Sequence, residues 1–335
     1  MTALLRLDRI NRRFTMRLDL AAKVLNRLGA NYRERTVWAV SDVELEVEKG
    51  EVLGIVGESG CGKSTLGRIA AGILPPSDGR ILFKGKDVVS LKGAEHKDWV
   101  RGVQMVFQDP MTSLNPRKTI FQLISEAPVF HGIMSRSDAG DRVASLLRSA
   151  GLDPAFQDRF PHELSGGQRQ RVAIAQVLAV NPEVVVFDEA TSALDVSVQA
   201  QILNLFQSLK DDFGLTYIFI SHNLGAVRHV ADRIAIMYLG RVVEIASCEA
   251  LFDKPLHPYT SALLREAPRL KRRRAFEPIR GEIPSSMNPP SGCSFHPRCP
   301  FAVDLCRIER PLQRDMGDGR VVACHLAPDV VTQTD

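Results

Sequence analysis

Two glycine-rich segments of this sequence have the residue types of a phosphate-binding site. The first, "GESGCGKST" from Gly57 to Thr65, fits the pattern G-x-x-x-x-G-K-[ST]. In that pattern the glycines let backbone N–H groups surround phosphate oxygens, the lysine reaches the β- and γ-phosphates, and the final hydroxyl binds Mg²⁺. The second, "LSGGQRQR" from Leu164 to Arg171, places a serine and two glycines at a predicted helix start, where the helix dipole favours an anion. The sequence therefore predicts two phosphate-binding segments in one chain.

Acidic and imidazole side chains follow the buried strands that are predicted downstream. Asp188 ends "VVVFD", and a P-loop needs a carboxylate in such a place to hold the water shell of the metal. Glu189 comes next and is placed to orient, or to accept a proton from, the water that attacks the γ-phosphate. His222 follows "YIFIS" at the same predicted sheet edge, where ligands bind in doubly wound folds. These three residues complete a candidate site for hydrolysis of a nucleoside triphosphate.

The predicted elements position these residues at one edge of a sheet. From Val37 to Phe83 the sequence is β-rich, with Gly or Asp at the breaks. Beyond it, apolar strands such as "EVVVF" and "TYIFI" alternate with helices, which indicates a parallel sheet covered on both faces. The region from Asp109 to His162 is mainly helical by pattern. The predicted fold class is α/β, a P-loop NTPase (RecA-like) core with an antiparallel β subdomain, a helical subdomain at about 109–165 and a small cysteine-containing C-terminal extension.

Length, charge and apolar runs limit the classes of function. The chain has 335 residues, enough for about two domains. Its formal net charge of +4 is far from the clustered basicity of a nucleic-acid-binding protein, so nucleic acid is unsupported as a partner. No stretch approaches the ~20 consecutive apolar residues that a membrane-spanning helix needs. The N-terminus "MTALLRLDRINRRF" lacks the apolar middle region of a signal peptide, so the expected location is the cytoplasm.

Six segments, in this order, resemble the motifs of the nucleotide-binding subunit of an ATP-binding cassette (ABC) transporter: "GESGCGKST", "VFQDP", "LSGGQRQR", "VVVFDEA", "SALD" and "ISHN". In that family the "LSGGQ" element closes over the ATP that is held by the P-loop of a partner subunit. The resemblance thus implies that the two phosphate-binding segments serve different nucleotides, and that the competent unit is a dimer with two ATP molecules between its halves. Hydrolysis removes the γ-phosphate and should therefore weaken the closed dimer.

The resemblance also assigns roles residue by residue. Gln108 resembles the glutamine that senses Mg²⁺ and the attacking water, and "SALD", which ends at Asp195, resembles the loop that communicates between the two sites. The implied catalytic residues are Lys63, Gln108, Glu189 and His222, and the implied Mg²⁺ ligands are Ser64, Gln108 and Asp188. The implied nucleotide contacts are Phe14, Gly57, Glu58, Ser59, Gly60, Cys61, Gly62, Lys63, Ser64, Thr65, Gln108, Ser165, Gly166, Gly167, Gln168, Asp188 and Asp195.

The aromatic residue that stacks on adenine is left open. Phe14 in "INRRFTM" fits the expected place N-terminal to the P-loop best, but the insert "TMRLDLAAKVLNRLGANYRER" follows it, so Tyr32 and Trp38 are alternatives. The apolar residues of this insert recur on one face of a basic helix. Packing on its own domain is favoured there over contact with a membrane.

The C-terminal segments "HPYTSALLREAP" and "GEIPSSMNPPSGCSFHPRCPFA" resemble the extension of the dipeptide and oligopeptide importer ATPases, a group that also serves nickel and some glycosides. The segments "SLNPR" and "GLTYIFISHNLGAVRHVADRIAIMYLGRVVE" resemble its second, F-type subunit. The implied domains are a nucleotide-binding domain at 1–267 and the extension at 268–335. The implied partners are a non-identical second ATPase, two transmembrane permeases and, indirectly, an extracellular peptide-binding protein. The implied location is the cytoplasmic face of the inner membrane, with the permease docked on residues 110–130.

Four of the six cysteines lie in the extension: Cys293, Cys299, Cys306 and Cys324, with five, six and seventeen residues between them. In a reducing compartment such crowding indicates metal more than disulfides. The C-x₂₋₄-C pairs that are usual in zinc sites are absent, whereas iron–sulfur clusters accept uneven spacing of their thiolates. We therefore expect a four-iron four-sulfur cluster that staples the extension, with zinc or no metal as the alternatives.

The expected function is ATP-driven import of di- or oligopeptides, with import of nickel or another small solute as the alternative within the same family. A soluble ABC ATPase acting on nucleic acid or the ribosome usually has two cassettes in one chain or a long coiled-coil insertion, and the sequence has neither. A catalytically silent binding subunit would have lost motor residues, whereas Lys63, Asp188, Glu189 and His222 are all present. Asn223 replaces the Asp that is common after the histidine, and we expect little effect on the chemistry.

Overall fold

The computed structural model describes residues 3–16, 34–109, 113–192, 194–266 and 281–327, together with residues 18, 26, 28 and 279. The strands in chain order are β1 Leu5–Met16, β2 Arg35–Val47, β3 Val52–Val56, β4 Asp78–Phe83, β5 Lys86–Asp87, β6 Val103–Val106, β7 Val184–Asp188, β8 Thr216–Ile220, β9 Arg233–Tyr238, β10 Arg241–Ser247, β11 Arg314–Asp315 and β12 Val321–Val322. The α-helices are α1 Lys63–Ala70, α2 Gly93–Gly102, α3 Ile120–Phe130, α4 Ala139–Ser149, α5 Gly166–Leu178, α6 Val196–Phe213, α7 Leu224–Val230, α8 Cys248–Asp253, α9 Pro258–Glu266 and α10 Asp304–Ile308.

The larger sheet has the strand order β11-β12-β10-β9-β3-β8-β7-β6. Its strands from β9 to β6 are parallel, and β9, β10, β12 and β11 are antiparallel to one another in turn. Every residue of β3, β7 and β8 is buried, because helices or the second sheet cover both faces of this parallel part. The predicted parallel sheet is therefore confirmed, and its carboxyl ends carry the candidate site.

The smaller sheet is antiparallel in the order β2-β1-β4-β5. Strand β1 lies between β2 and β4 in this sheet. The sequence patterns did not predict it. Leu5 and Leu7 of β1 are buried while Arg6 between them is exposed, which is the alternation of a strand that has only one face on the core. The same alternation interrupts every apolar step with a charge, so this segment lacks the continuous apolar run of a buried strand.

Two apolar cores lie on opposite faces of the larger sheet. One contains the aromatic side chains of Phe187, Phe206 and Tyr217, with ring centroids 4.1 Å apart for the two phenylalanines. The other joins this sheet to the antiparallel sheet and to α1, through fully buried residues such as Leu5 and Leu66. Because the helix that follows the P-loop is buried on this second core, the loop is anchored between the two sheets.

The predicted helical region contains α3 and α4, and the signature helix α5 follows directly. Thr119 caps helix α3: its side chain accepts a hydrogen bond from the backbone N–H of Gln122, and the side-chain oxygen of Gln122 accepts one from the backbone N–H of Thr119. Of the predicted docking segment 110–130, residues 110–112 lie outside the described residues, and Phe130 at the end of α3 is 83% exposed. The predicted boundary at 267–268 and the charged link after it also lie outside the described residues.

The described part of the extension is built onto the larger sheet. Strand β12 pairs with β10, and the backbone N–H of Ala323 donates to the carbonyl of Val243 at 2.8 Å. Phe295 is 2% exposed and belongs to the same apolar core as the strands beside it. Of the helices in the described ranges, none is both long enough and apolar enough to span a lipid bilayer.

Candidate active site

The first phosphate-binding segment is a loop between β3 and α1. A Cβ at Gly57 would lie 2.1 Å from the carbonyl oxygen of Met237, so a larger residue cannot occupy that position without moving backbone. Gly62 has φ +105, and a Cβ there would lie 2.1 Å from the carbonyl oxygen of Ala39. The two glycines that the motif requires are thus required by the packing of this loop against β2 and β9.

Lys63 is the first residue of α1, and its ammonium group lies inside the loop. Its Nζ donates to the carbonyl oxygens of Gly57 at 2.8 Å and Glu58 at 2.9 Å, and the residue is only 4% exposed. Burial raises the pKa of the thiol of Cys61, whose Sγ lies 3.9 Å from the same Nζ, so this thiol is neutral. The ammonium group of Lys63 is thus the cation that a phosphate chain would meet inside the loop. Ser59 and Gly60 form the exposed part of the loop, and Thr65 is half-buried on α1.

Ser64 and Asp188 are brought together by the fold. The hydroxyl of Ser64 donates to Oδ1 of Asp188 at 2.7 Å, across from α1 to the end of β7. Asp188 is 3% exposed, and burial raises its pKa, an effect that the hydrogen bond from Ser64 partly offsets. A hydroxyl and a carboxylate at this distance are the oxygen ligands that Mg²⁺ prefers, so these two residues fit the predicted metal.

Glu189 lies at the centre of a second polar group. Its Oε2 accepts a hydrogen bond from Nε2 of Gln108 at 3.3 Å and lies 3.4 Å from Nδ1 of His222. Its backbone is in the left-handed region with φ 47, and its N–H donates to the carbonyl of Ile220 at 3.0 Å. Nε2 of Gln108 also lies 3.5 Å from Oγ of Ser192. The neighbouring parallel strands β6, β7 and β8 are followed by Gln108, Glu189 and His222 respectively. These three residues therefore lie at one edge of the sheet.

The second phosphate-binding segment is the N-terminus of α5. Ser165 caps the helix by accepting from the N–H of Gln168 at 3.3 Å, and Gln168 Oε1 accepts from the N–H of Ser165 at 2.9 Å. A Cβ at Gly167 would lie 2.7 Å from Cγ1 of Val198 in α6, whereas Gly166 is exposed. Asp195 occupies the N-cap position of α6. This helix start is therefore preformed and lies at the surface, where a second chain can reach it.

The candidates for adenine stacking lie on paired strands. Phe14 near the end of β1 is 40% exposed, with the guanidinium of Arg12 4.8 Å from its ring centroid. Trp38 in β2 is 36% exposed and pairs with Arg13, whereas Phe14 pairs with Val37. Neighbouring residues of a strand point to opposite faces, so Phe14 and Trp38 lie on different faces of the sheet and only one of them can face a given nucleotide. Tyr32 lies outside the described residues, and the stacking residue stays a prediction.

The four cysteines of the extension do not form the expected metal site. Within the described part of the chain, which includes all four, no three His, Cys, Asp or Glu side chains are grouped closely enough to hold a metal ion. Burial raises the pKa of Cys293 to about 11 and that of Cys299 to about 12, so both are neutral thiols. The structure therefore does not support the predicted four-iron four-sulfur cluster or the alternative zinc site. The spacing of the cysteines in the sequence does not by itself fix how their sulfur atoms are arranged in the fold.

Two residues of the site were not found from the sequence. The hydroxyl of Tyr259 accepts from the N–H of Glu58 at 3.0 Å, and the guanidinium of Arg298 binds the carboxylate of Glu58. Both lie in the C-terminal segments that resemble the importer extension, but no sequence spacing connects them to the P-loop. Asn223 accepts from the N–H groups of Gly225 and Ala226 at 2.9 and 3.2 Å, so it caps α7 as an Asp in that position would.

Two family models match the chain. Residues 40–192 match the ABC transporter family, which includes the P-loop, the signature segment and the residues after β7. Residues 243–306 match the C-terminal region of the oligopeptide/dipeptide transporters. The predicted resemblance is thereby confirmed on both parts of the chain.

Known proteins of this family are similar to the chain over most of its length. The oligopeptide transport ATP-binding protein AppF of Bacillus subtilis is 48% identical over 87% of this chain and 90% of its own. The oligopeptide transport ATP-binding protein OppF of Salmonella typhimurium is 45% identical over 83% of this chain and 85% of its own. A dimeric ATP-binding cassette, solved in a post-hydrolysis state with ADP and Pi, is 28% identical with a TM-score of 0.61 and covers 73% of this chain and 98% of that one. The predicted P-loop α/β fold is thus confirmed, and the chain belongs to the ABC transporter family as an ATP-binding protein with the C-terminal region of the oligopeptide/dipeptide transporters.

Proposed function

We propose that this chain is the ATP-binding and hydrolysing subunit of an importer of di- or oligopeptides. The observation that carries the proposal is the pair of polar groups at the carboxyl ends of β6, β7 and β8. There the hydroxyl of Ser64 meets Asp188 at 2.7 Å, and Glu189 lies within 3.4 Å of both Gln108 and His222. The names of the relatives as oligopeptide transport ATP-binding proteins support the peptide cargo over nickel or another small solute.

The loop residues bind the phosphate chain in this proposal. Lys63 exchanges the carbonyl oxygens of Gly57 and Glu58 for the β- and γ-phosphates, while backbone N–H groups from Gly60 to Thr65 donate to the same oxygens. The oxygens of Ser64, Asp188 and Gln108 are the proposed Mg²⁺ ligands. Mg²⁺, when bound, neutralises charge on the phosphate oxygens.

Glu189 is the proposed general base. Its carboxylate lies at the sheet edge where the γ-phosphate is expected, and it is 17% exposed, so a water can reach it. Gln108 donates to one of its oxygens, which orients the carboxylate, and His222 lies beside the same oxygen and is proposed to contact the γ-phosphate. A residue with φ 47 is locally strained, and the hydrogen bond to Ile220 holds it there.

The signature helix is proposed to serve a partner subunit. The capped start of α5 lies at the surface, where it can bind the γ-phosphate of an ATP held by another chain. The residues of this helix start are Ser165, Gly166, Gly167 and Gln168, and Asp195 belongs to the loop beside it. We propose that this partner is a second, non-identical ATPase, and that the pair binds two permeases, with residues 110–130 as the docking surface, at the cytoplasmic face of the inner membrane. The same proposal divides the chain at 267–268 into a nucleotide-binding domain and an extension. It also assigns Phe14 as the residue that stacks on adenine. The cysteines have no role in it.

The test is the Glu189→Gln variant in the complex with its partner ATPase, permeases and peptide receptor. The variant should bind ATP with Mg²⁺ and hydrolyse it roughly 10²- to 10⁴-fold more slowly, because the amide cannot accept a proton. It should trap a closed dimer, measured by light scattering, and abolish ATP-dependent peptide uptake into vesicles. Glu95→Gln, an exposed carboxylate away from the site, is the control and should transport normally. Unchanged hydrolysis would disprove the assignment of the base, and uptake of nickel in place of peptide would favour the alternative cargo.

A further inference from the structure

A nearly buried ion pair joins the extension to the P-loop. Nη1 and Nη2 of Arg298 donate to Oε2 and Oε1 of Glu58 at 2.8 and 3.0 Å. The side chain of Arg298 is 5% exposed and that of Glu58 is 16% exposed. Two parallel hydrogen bonds between a guanidinium and a carboxylate fix both distance and orientation, so this contact is directional as well as electrostatic.

The extension holds Arg298 in place for this contact. Arg298 ends the 3₁₀ turn His296–Arg298, directly after the fully buried Phe295. The ring of Phe295 packs against Tyr238 and Tyr259, with centroids 5.3 and 5.4 Å apart. The hydroxyl of Tyr238 accepts a further hydrogen bond from Nη1 of Arg298 at 3.4 Å. The guanidinium is therefore positioned by the aromatic core of the fold and not by Glu58 alone.

Glu58 in turn fixes the first turn of the P-loop. Its N–H donates to the hydroxyl of Tyr259 at 3.0 Å, and its carbonyl oxygen accepts from Nζ of Lys63 at 2.9 Å. A change in the position of Glu58 would therefore move an acceptor of the lysine that is proposed to bind the phosphates. The side chain of Glu58 also brings a negative charge into a loop that must receive a more negative ligand.

We propose that Arg298 is a positioning residue for nucleotide binding: it neutralises Glu58 and holds the first turn of the P-loop in the shape that receives the triphosphate. This inference rests on the proposed function and extends it by making the extension part of the nucleotide site. Without the guanidinium, the carboxylate of Glu58 is partly buried, unpaired and close to the phosphates, and it repels them. Arg298 contacts Glu58 of the P-loop and Tyr238, so we expect its loss to affect nucleotide binding more than the chemical step.

The extension offers a matched control for this contact. Arg310 also pairs with a carboxylate of the nucleotide-binding domain, Asp42, at 3.0 Å, but the two side chains are 40% and 45% exposed and Asp42 is in β2, outside the P-loop. A general loosening of the extension would affect both pairs, whereas the proposed role belongs to Arg298 alone.

The test compares equilibrium binding of ATP with Mg²⁺ by the full-length wild type, Arg298→Gln, Glu58→Gln, the double variant and Arg310→Gln. Arg298→Gln should weaken binding roughly ten- to hundredfold, the range for loss of a hydrogen bond to a charged group. The double variant should recover to within about threefold of the wild type, because it no longer contains an unpaired carboxylate. Arg310→Gln should bind normally. In the assembled complex the KM for ATP of Arg298→Gln should rise while kcat stays near that of the wild type.

The outcomes separate this inference from the function on which it rests. If the wild type does not bind ATP, the proposed function fails. If the wild type binds ATP and Arg298→Gln binds equally well, or if Glu58→Gln does not rescue it, only the role of Arg298 is overturned. Should Arg298→Gln not fold, Arg298→Lys takes its place, since one ammonium keeps the charge but loses the paired geometry. That variant should bind several-fold more weakly, and binding equal to the wild type would overturn the inference.

Discussion

Acid should loosen the segment that supports the P-loop, because a buried neutral histidine lies in it. His257 is 1% exposed, and its Nδ1 accepts a hydrogen bond from the N–H of Tyr259 at 3.0 Å. Its own backbone N–H donates to the buried carboxylate of Glu244 at 2.9 Å. Burial lowers the pKa of His257 to about 3, so the imidazole stays neutral in the folded protein throughout the physiological range.

The sign and size of the effect follow from that pKa. The unfolded chain protonates this histidine below about pH 6.5, whereas the folded chain does so only near pH 3, so between these values the unfolded state binds the extra proton. The contribution of His257 to the free energy of unfolding is therefore complete above pH 6.5 and is lost progressively as the pH falls towards 3. At pH 5 the loss amounts to about 2 kcal/mol, at 1.36 kcal/mol for each of about 1.5 pH units.

The variant that tests this is His257→Asn, which keeps an acceptor for the N–H of Tyr259 but does not titrate. Urea unfolding of the wild type and of the variant at pH 7 and pH 5 gives the free energy of unfolding at each pH. The wild type should lose about 2 kcal/mol more than His257→Asn between the two values, whatever the fixed cost of the smaller side chain. His96→Asn, which replaces an exposed histidine, should behave as the wild type does. Equal losses in the wild type and in His257→Asn would refute the reasoning.

Substitutions test the role of Lys63 in the P-loop and that of Asn223 at the start of α7. Lys63→Ala should lose affinity for ATP with Mg²⁺ in equilibrium binding. It should remain folded by circular dichroism, because the main hydrogen bonds lost are those from Nζ to the carbonyl oxygens of Gly57 and Glu58. Binding as tight as that of the wild type would disprove the role of Lys63. Asn223→Ala should lower the free energy of unfolding by about 1 kcal/mol through loss of the cap of α7, whereas Asn223→Asp should keep both stability and hydrolysis; an equal loss in the two variants would contradict the capping role.

The parts of the fold that were predicted correctly have strong local signals. Strands β3, β7 and β8 are continuous apolar runs because both their faces are buried, and such runs are visible in the sequence without knowledge of their neighbours. The P-loop was recognised because phosphate binding demands glycine at fixed spacing, and the contacts of Gly57 and Gly62 show that packing demands it too. Asp188 and Glu189 could be placed at a sheet edge because parallel strands end together.

The parts that were missed depend on contacts between distant residues. Strand β1 is covered on one face only, so its buried Leu5 and Leu7 are separated by the exposed Arg6 and the segment resembles a charged surface stretch. Arg298 and Glu58 are 240 positions apart in the chain, and nothing local to either predicts the other. For the cysteines a local signal was misleading. Their crowding in the sequence predicted a metal site, but no such group of side chains is found among the residues that the structure describes.

Glu58 shows why the extension and the P-loop are best considered as one unit. An acidic side chain in an anion-binding loop conflicts with the charge of the ligand, and local sequence gives no reason for its presence. The conflict disappears once the bidentate contact with Arg298 is included, because the loop then carries a neutral, rigid pair in place of a charge. The carboxylate also gives the loop a second attachment besides the hydrogen bond to Tyr259, so the residue contributes rigidity that a neutral side chain would not. It follows that removal of the extension should be more harmful to ATP binding in this chain than in a variant whose Glu58 is already Gln, a comparison that separates loss of Arg298 from loss of the extension as a whole.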